Sequence, residues 1–429
     1  MKKTVYAGMC ADILHNGHIN ILKEASKHGY VIVGLLSDEA ISDYKRTPFM
    51  SFQQRKEILE SLKFVDTVVK QNTLDYTENL VKLKPDYVIH GDDWRQGTQK
   101  NTRDNVIDTL KGWNGQLIEI PYTKNISSTI LNNVQKKKGT TVEIRRSKLR
   151  KNLNLKKMTR IIEAHNGLTG LMVEKASKNN KEFDGMWLSS LTHSTVKGKP
   201  DIQYIDITTI SQTINEIFDV TTKPMIVDLD NGGKIEHFRF SVKTLERLGV
   251  SAVIIEDKVG IKRNSLFEDT SNQRQDDVGS FCHKIKEGKK STITKDFMII
   301  ARIESLILNK GVEDALIRAK KYVESGADGI MIHSKMKKSD EIEHFCKEFR
   351  KKDPNTPLIV VPTTYNHIDE EQLHLLGVNL VIYANHLLRS SYPSMLKVMN
   401  MILENSRSYE CDPFCMPIKE IIKLIPESD

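Results

Sequence analysis

Short apolar runs separated by amphipathic helical stretches recur along most of this chain, and that alternation restricts it to parallel α/β architectures with right-handed crossovers. From about residue 159 the runs fall at 185–187, 225–227, 252–255, 298–301, 329–332, 358–361 and 380–382, and all but the last two are soon followed by a charged or hydroxyl residue. Helical patterns such as 312–324 and 341–351 separate several of them. Seven or eight such units over roughly 250 residues predict a (β/α)8 barrel, a fold in which chemistry is done where the strands end. A smaller series precedes it, with runs at 4–6, 31–36, 67–69, 87–89 and 117–120 and helical patterns at 19–28 and 52–62. It predicts a separate open parallel sheet.

A chain of 429 residues accommodates two or three domains, and its 39% hydrophobic content is enough for packed cores. No apolar run reaches membrane-spanning length, and the N-terminus enters a strand-like run without a signal-peptide core. The five cysteines show no paired metal-ligand spacing, so a reduced, cytoplasmic protein is expected. Much of the net charge of +8 sits between Lys136 and Lys157, where few aromatics interleave with the basic residues. A solvated basic linker over 135–157 is therefore expected in place of a nucleic-acid site. It would separate domains at 1–134 and 158–429.

The charged run Glu256–Ser265 follows the strand-like Val253-Ile254-Ile255 and combines acid, base, amide and hydroxyl groups at a strand end. Asp228 and Asp230 are alternate residues closing Met225-Ile226-Val227, so on a strand they share a face, and hard carboxylate oxygens suit Mg2+. Glu256 and Arg302 occupy strand ends as well. His333, taken alone on an apolar strand, reads as a core histidine. Together with Glu163-Ala164-His165-Asn166, Gly185–Leu191, Ala301-Arg302-Ile303-Glu304 and Val361-Pro362-Thr363, these segments resemble the phosphoenolpyruvate mutase family along nearly all of 158–429.

The resemblance implies that Asp228 ligates Mg2+ directly, with Asp230 and Glu256 acting partly through water. Arg302 would present a planar fork to substrate oxygens, and Ser190 and Leu191 would hold the carboxylate or phosphonate end by their backbone groups. Asp201 matches the aspartate beside the transferring phosphoryl group, Asn264 and Lys262 belong to the gating loop, and His333 lies near substrate. Ile418–Ile421 matches a late helix exchanged between subunits, so a homo-oligomer (dimer or tetramer) is implied. Asn264 and Ser265 favour a mutase over the related phosphonopyruvate hydrolase, and the lyase loop Lys-Lys-Cys-Gly-His is absent. Asn231-Gly232-Gly233-Lys234 departs from the family's usual Thr-Gly-Tyr-Gly.

In the first segment, His15 and His18 lie three residues apart at the opening of a helix, sharing one face, and Gly17 admits close approach of a nucleotide. With Lys45-Arg46, Arg55-Lys56, Gly91-Asp92-Asp93-Trp94 and Ile126–Thr129, this order resembles the glycerol-3-phosphate cytidylyltransferase family over almost all of 1–134. The resemblance implies a Rossmann-like nucleotidyltransferase domain using CTP and Mg2+. His15 and His18 would stabilise the transition state and Lys45 would hold triphosphate. Arg55 would lie near the site, Asp92 and Trp94 would line the cytidine pocket, and Ser127, Ser128 and Thr129 would meet phosphate. Tyr122, Asn125 and the strand exit Met9–Asp12 depart from the family pattern, which points to an altered acceptor.

Jointly the two resemblances imply a bifunctional phosphonate-biosynthesis enzyme. It would convert phosphoenolpyruvate to phosphonopyruvate and transfer CMP from CTP to a phosphonate such as 2-aminoethylphosphonate. A phosphonopyruvate decarboxylase is the expected pathway partner, with neither nucleic acid nor membrane involved. The alternatives are a mutase carrying a non-catalytic nucleotide-binding domain, or a hydrolase or carbon–carbon lyase barrel.

Overall fold

The structure, a computed structural model, describes residues 2–44, 47–95, 99–121, 140–179, 181–260, 262–265 and 273–425. Two parallel sheets organise it. The first has five strands in the order Thr67–Gln71, Tyr30–Leu36, Thr4–Met9, Tyr87–Gly91 and Gln116–Ile120. All neighbours are parallel. The order reverses between Thr4–Met9 and Tyr87–Gly91, and in an open parallel sheet that switch point leaves a crevice beyond the strand ends. Both His15-Asn16-Gly17-His18 and Asp92–Trp94 follow those two strands, so the crevice receives both motifs.

The second sheet closes on itself. Its eight strands, Thr159–Glu163, Gly185–Leu188, Met225–Asp228, Ala252–Glu256, Met298–Ile303, Gly329–Ile332, Leu358–Val360 and Leu380–Tyr383, are neighbours in chain order. Their side chains divide by strict alternation. Ile161, Ile226, Ala252, Ile254, Met298, Ile300, Met331, Ile359, Leu380 and Ile382 form one buried cluster. Ile162, Val227, Val253, Ile255, Ile299, Ala301, Ile330, Leu358, Val360 and Val381 join the helices around the barrel. A period of two is what a pleated strand imposes, and it gives the barrel an inner filling and an outer contact layer. Extending the inner set by two residues along five of the eight strands reaches Glu163, Asp228, Glu256, Arg302 and His333. The functional candidates are thus the last inward positions of an otherwise apolar interior.

The stretch expected to be a solvated linker is corrected over its described part. Val142–Leu155 is a helix, N-capped by Thr141, whose side chain accepts from the Ile144 N–H. Leu149 and Leu153 belong to the inner barrel cluster. The helix meets residues that immediately precede strands: Ser251 Oγ donates to Arg145 O at 3.0 Å, Asn152 Nδ2 to Asp184 O at 3.4 Å, and Arg150 Nη2 to Asp328 Oδ1 at 2.9 Å. It therefore plugs the end of the barrel opposite the strand termini that carry the charges. Its arginines are not a solvated run. Arg145 Nη2 donates to Phe218 O (3.2 Å) and Thr221 O (2.9 Å), and Arg146 Nη1 to Glu246 O (3.0 Å). Two of these acceptors lie in the last turns of the barrel helices Ile207–Phe218 and Ile235–Leu248, whose carbonyls lack intrahelical partners. Burial draws the Arg145 guanidinium down to about 10.

The long helix His386–Asn405 has no buried residue, and Tyr392, Met395, Met399 and Leu403 stand exposed along it. No helix among the described residues is long and apolar enough to cross a membrane. Leu149→Ala tests the plug: deleting a fully buried leucine should cost about 2–5 kcal/mol in urea unfolding of the barrel. A cost below about 0.5 kcal/mol, typical of exposed positions, would restore the linker reading.

Candidate active sites

His15 forms the N-cap of the helix Asn16–His28, with its Nδ1 accepting from the Gly17 N–H at 3.1 Å. His18 Nδ1 accepts from the His15 N–H at 3.4 Å, and the two rings lie 4.1 Å apart. Both Nδ1 atoms accept, so in the neutral rings the proton sits on Nε2. Burial lowers the His15 pKa, which favours that neutral form. Two imidazole donors at a helix N-terminus form an anion-receptive edge.

Arg55, expected near this site, is fully buried and committed to the loop architecture. Nη1 donates to Cys10 O (2.6 Å), Nη2 to Asp38 Oδ1 (2.6 Å) and Nε to Met50 O (3.3 Å). Asp92 opens a short 3-10 turn at the crevice. Trp94, expected to line the cytidine pocket, is packed inside the domain at 1% exposure. Its ring stacks on His90 at 3.9 Å, and Nε1 donates to Glu119 Oε1 at 2.8 Å. Glu119 also receives Arg95 and Arg103, whose guanidinium groups hold its carboxyl far below the usual range, Arg103 contributing most. That cluster was not legible beforehand, because Glu119 lies in a strand-like run where it reads as an exposed face. Lys45, Ser127, Ser128 and Thr129, with Tyr122 and Asn125, lie outside the described residues.

At the barrel's strand ends the structure brings Asp201, Ser190, Asp228, Asp230, Glu256, Lys262, Asn264, Arg302 and His333 together. Ser190 Oγ donates to Asp228 Oδ2 at 2.9 Å, and the Asp230 N–H donates to Asp228 Oδ1 at 3.1 Å. Asp230 has φ +54°, a left-handed conformation that Asp tolerates better than most residues, and this turns the chain out of the strand. The Lys262 ammonium lies 3.0 Å from Asp201 and 4.0 Å from Asp228, and bonds Asp230 and Ser190 Oγ directly. Asn264 Nδ2 donates to Asp201 Oδ2 at 3.0 Å. Both gating-loop residues thereby converge on one aspartate. Leu191 follows Ser190 in the first turn of a short helix.

Arg302 Nε donates to Glu304 Oε1 at 2.6 Å, and Nη2 reaches Ser265 Oγ (2.7 Å), His333 Nδ1 (3.0 Å) and Glu256 (3.4 Å). A guanidinium only donates, so the His333 ring accepts at Nδ1. Burial, then Arg302, pushes the His333 pKa down. Glu304 was missed, although it extends the alternation of Ile300 and Arg302 by one more step. Burial opposes its ionisation, but Arg302 and Lys258 hold its carboxyl well below the ordinary value. Lys258, also missed, donates to Arg263 O (3.0 Å), Ser265 Oγ (2.9 Å) and Gln273 Oε1 (2.9 Å), and lies 3.2 Å from Glu304. It pins both limbs of the gating loop from inside.

Asp201, Asp228, Asp230, Glu256 and Glu304 face Lys258, Lys262 and Arg302, so with every carboxyl ionised the site would carry two more negative than positive charges. Burial pushes Asp230 up and Glu256 up to about 7. Neither carboxylate oxygen of Glu256 has a hydrogen-bond partner, although both are buried. All-oxygen donors with a surplus of two negative charges fit a hard divalent cation. Among the described residues, however, no three His, Cys, Asp or Glu side chains already converge as a metal cluster, since the Lys262 ammonium stands between the aspartates.

The fold and the strand-end site define an enzyme of the phosphoenolpyruvate mutase/isocitrate lyase superfamily joined to a cytidylyltransferase-like domain. The phosphoenolpyruvate phosphomutase family model matches residues 149–403, and the cytidylyltransferase-like model matches residues 6–134. The chain belongs to the phosphoenolpyruvate phosphomutase family. It is 34% identical over 284 residues to phosphoenolpyruvate phosphomutase of Tetrahymena pyriformis, covering 66% of this chain and 92% of the relative. It is 33% identical over 278 residues to phosphonopyruvate hydrolase of Variovorax sp. (strain Pal2), covering 64% and 93%. The N-terminal domain is 38% identical over 97 residues to FAD synthase of Methanopyrus kandleri, covering 22% and 65%. Among solved structures, phosphoenolpyruvate phosphomutase from Streptomyces platensis subsp. rosaceus aligns with a TM-score of 0.61 and 31% identity, over 65% of this chain and 94% of that one. Phosphonopyruvate hydrolase in complex with oxalate and Mg2+ aligns at 0.59 and 31%, with the same coverage.

Lys258→Met should release the gating loop. Limited proteolysis should then cut the Lys258–Gln275 segment several-fold faster than in the parent protein, and an unchanged rate would show that the loop is held by other contacts.

Proposed function

We propose that the barrel isomerises phosphoenolpyruvate to phosphonopyruvate, and that the N-terminal domain transfers CMP from CTP to a phosphonate such as 2-aminoethylphosphonate. The observation that carries the mutase reading is the convergence of Lys262 and Asn264 on Asp201, over the strand-end carboxylates. In the reaction the phosphorus–oxygen bond of the enol ester breaks and a phosphorus–carbon bond forms at carbon 3, so no atom is gained or lost. A Mg2+ held by Asp228, with Asp230 and Glu256 around it, would supply Lewis-acid stabilisation of the enolate.

The chain's own residues do the rest. Arg302 offers a fixed fork to the substrate carboxylate, backed by Glu304, and Ser190 and Leu191 hold the opposite side with backbone N–H groups. Asn264, Lys262 and Asp201 keep the loose, metaphosphate-like phosphoryl group aimed at carbon 3. The loop held by Lys258 excludes water, which would otherwise take that group and yield phosphate and pyruvate. The 33% identity to a phosphonopyruvate hydrolase favours that second outcome as the alternative. Phosphorus NMR with phosphonopyruvate separates them: phosphoenolpyruvate accumulates with a mutase, free phosphate with a hydrolase. Asn264→Ala should lower isomerisation at least ~100-fold, as for a reacting group left unaligned.

For the N-terminal domain, the His15 and His18 donors at the switch-point crevice support nucleotidyl transfer, where they stabilise charge developing on an α-phosphate. Lys45 and Ser127–Thr129 complete the proposed triphosphate site. The exposed apolar side chains of His386–Asn405 support a cytoplasmic homo-oligomer (dimer or tetramer) that exchanges late helices. The equilibrium implied for the family favours phosphoenolpyruvate, so phosphonopyruvate decarboxylase would draw the reaction forward. Incubation with CTP and 2-aminoethylphosphonate, 2-hydroxyethylphosphonate or phosphocholine should release pyrophosphate with one acceptor, and His18→Ala should reduce that release at least ~100-fold. Absence of turnover with every acceptor would favour a nucleotide-binding module.

A further inference from the structure

The plug helix Val142–Leu155 also grips the N-terminal domain, at the loop that leads into its active site. Asn152, at 2% exposure, uses both ends of its amide. Nδ2 donates to Asp184 O of the barrel at 3.4 Å, and Oδ1 accepts from Thr47 Oγ1 at 2.6 Å. At the preceding residue, Lys151 Nζ donates to Pro48 O and, at 3.4 Å, to Phe49 O. Lys157, just beyond the helix, pairs with Asp43 at 3.3 Å.

From Thr47–Phe49 the hydrogen bonds continue inward. The Met50 N–H donates to Asp12 Oδ1 at 3.0 Å, and Met50 O accepts from Arg55 Nε at 3.3 Å. Arg55 in turn holds Cys10 O, so the loop and the exit of the Thr4–Met9 strand are fastened to each other. Three residues beyond Asp12 the chain reaches His15. A part-buried chain of polar contacts thus runs from the barrel's closed end to Asp12 and Cys10, where the strand exit leads on to His15.

We propose that Lys151 and Asn152 are positioning residues for the nucleotide site: the barrel's plug helix sets the 47–50 loop, and through Asp12 and Arg55 the start of the histidine motif. The nucleotidyltransferase site is then complete only when the plug helix is seated on the barrel. This rests on the nucleotidyl-transfer reading of the N-terminal domain, and the test separates the two. Lys151 lies at the closed end of the barrel, where its ammonium donates to Pro48 O and Phe49 O, so Lys151→Met leaves phosphoenolpyruvate–phosphonopyruvate interconversion unchanged, which also shows that the variant folds.

Hydrogen–deuterium exchange on the ligand-free full chain is the decisive measurement. In Lys151→Met the amides of 49–55 should exchange about tenfold faster, and Lys151→Arg, which keeps donors at the two carbonyls, should restore parent protection. In turnover with CTP, the KM for nucleotide should rise about tenfold in Lys151→Met while kcat changes less than twofold. Parent-like exchange in Lys151→Met overturns the inference, as does a loss of kcat with unchanged KM. If the parent protein neither binds nor turns over CTP, the nucleotidyl-transfer reading fails, and with it the assignment of Lys151 and Asn152 to a nucleotide site, whatever the exchange data show about the loop.

Discussion

The strand-end site depends on a charge balance that no single pair could sustain. Arg302 is buried against Glu256 and Glu304, and Lys262 against Asp201 and Asp230. A buried ion of either sign costs several kcal/mol unless matched. Removing one cation would leave its carboxylates unmatched, and removing one carboxylate would free a cation to pull on the rest. The surplus of two negative charges is therefore the informative quantity. It remains after all three buried cations, Lys262 among them, have been counted, and it is a charge that a divalent cation would match. Lys262 reaches these carboxylates from the segment that follows Glu256, so the seating of that side chain and part of the charge neutralisation go together.

Below that charged layer the barrel is apolar, and the transition is abrupt. Ile161 to Glu163, Ile226 to Asp228, Ile254 to Glu256, Ile300 to Arg302 and Met331 to His333 each change from hydrocarbon to polar group within one strand repeat. The barrel interior is a packed filling, so the charges cannot sink into it. They are held at the rim, where helix and loop N–H groups and solvent are close. The same geometry explains why Asp257, pointing outward beside Glu256, serves the scaffold. It accepts from Tyr322 at 2.7 Å and Gln275 at 2.8 Å, tying the base of the gating loop to the Gly311–Glu324 helix.

What could be read in advance follows from the same physics. Period-two alternation and strand-end charges made both sheets and the positions of Asp228, Glu256 and Arg302 legible, because both signals are local in sequence. Glu304 escaped because a second charge on the same strand face reads as an exposed residue until the neighbouring strands are known. The plug helix escaped for the opposite reason. Arg145 and Arg146 look like solvated charges, yet their guanidinium groups end on carbonyls of helices some 70 and 100 residues later, partners that no local pattern announces. Arg55 and Trp94 show a third case: their place in a motif could be recognised, but burial turned one into a loop clamp and the other into packing.

The location of the plug helix decides how the two candidate sites relate. It touches Asp184, Ser251 and Asp328, each one residue before a barrel strand, whereas Asp228, Glu256 and Arg302 lie at the opposite ends. The N-terminal loop contacts the plug side. The barrel site and the 47–50 loop therefore lie on opposite sides of the packed barrel interior. The interior between them is filled by Ile, Met and Leu side chains and offers no passage to a charged three-carbon acid. Any product of one site must cross solvent to reach the other. That arrangement fits the proposed reading of two reactions that are not consecutive, and what the plug helix joins is the position of one domain to the other.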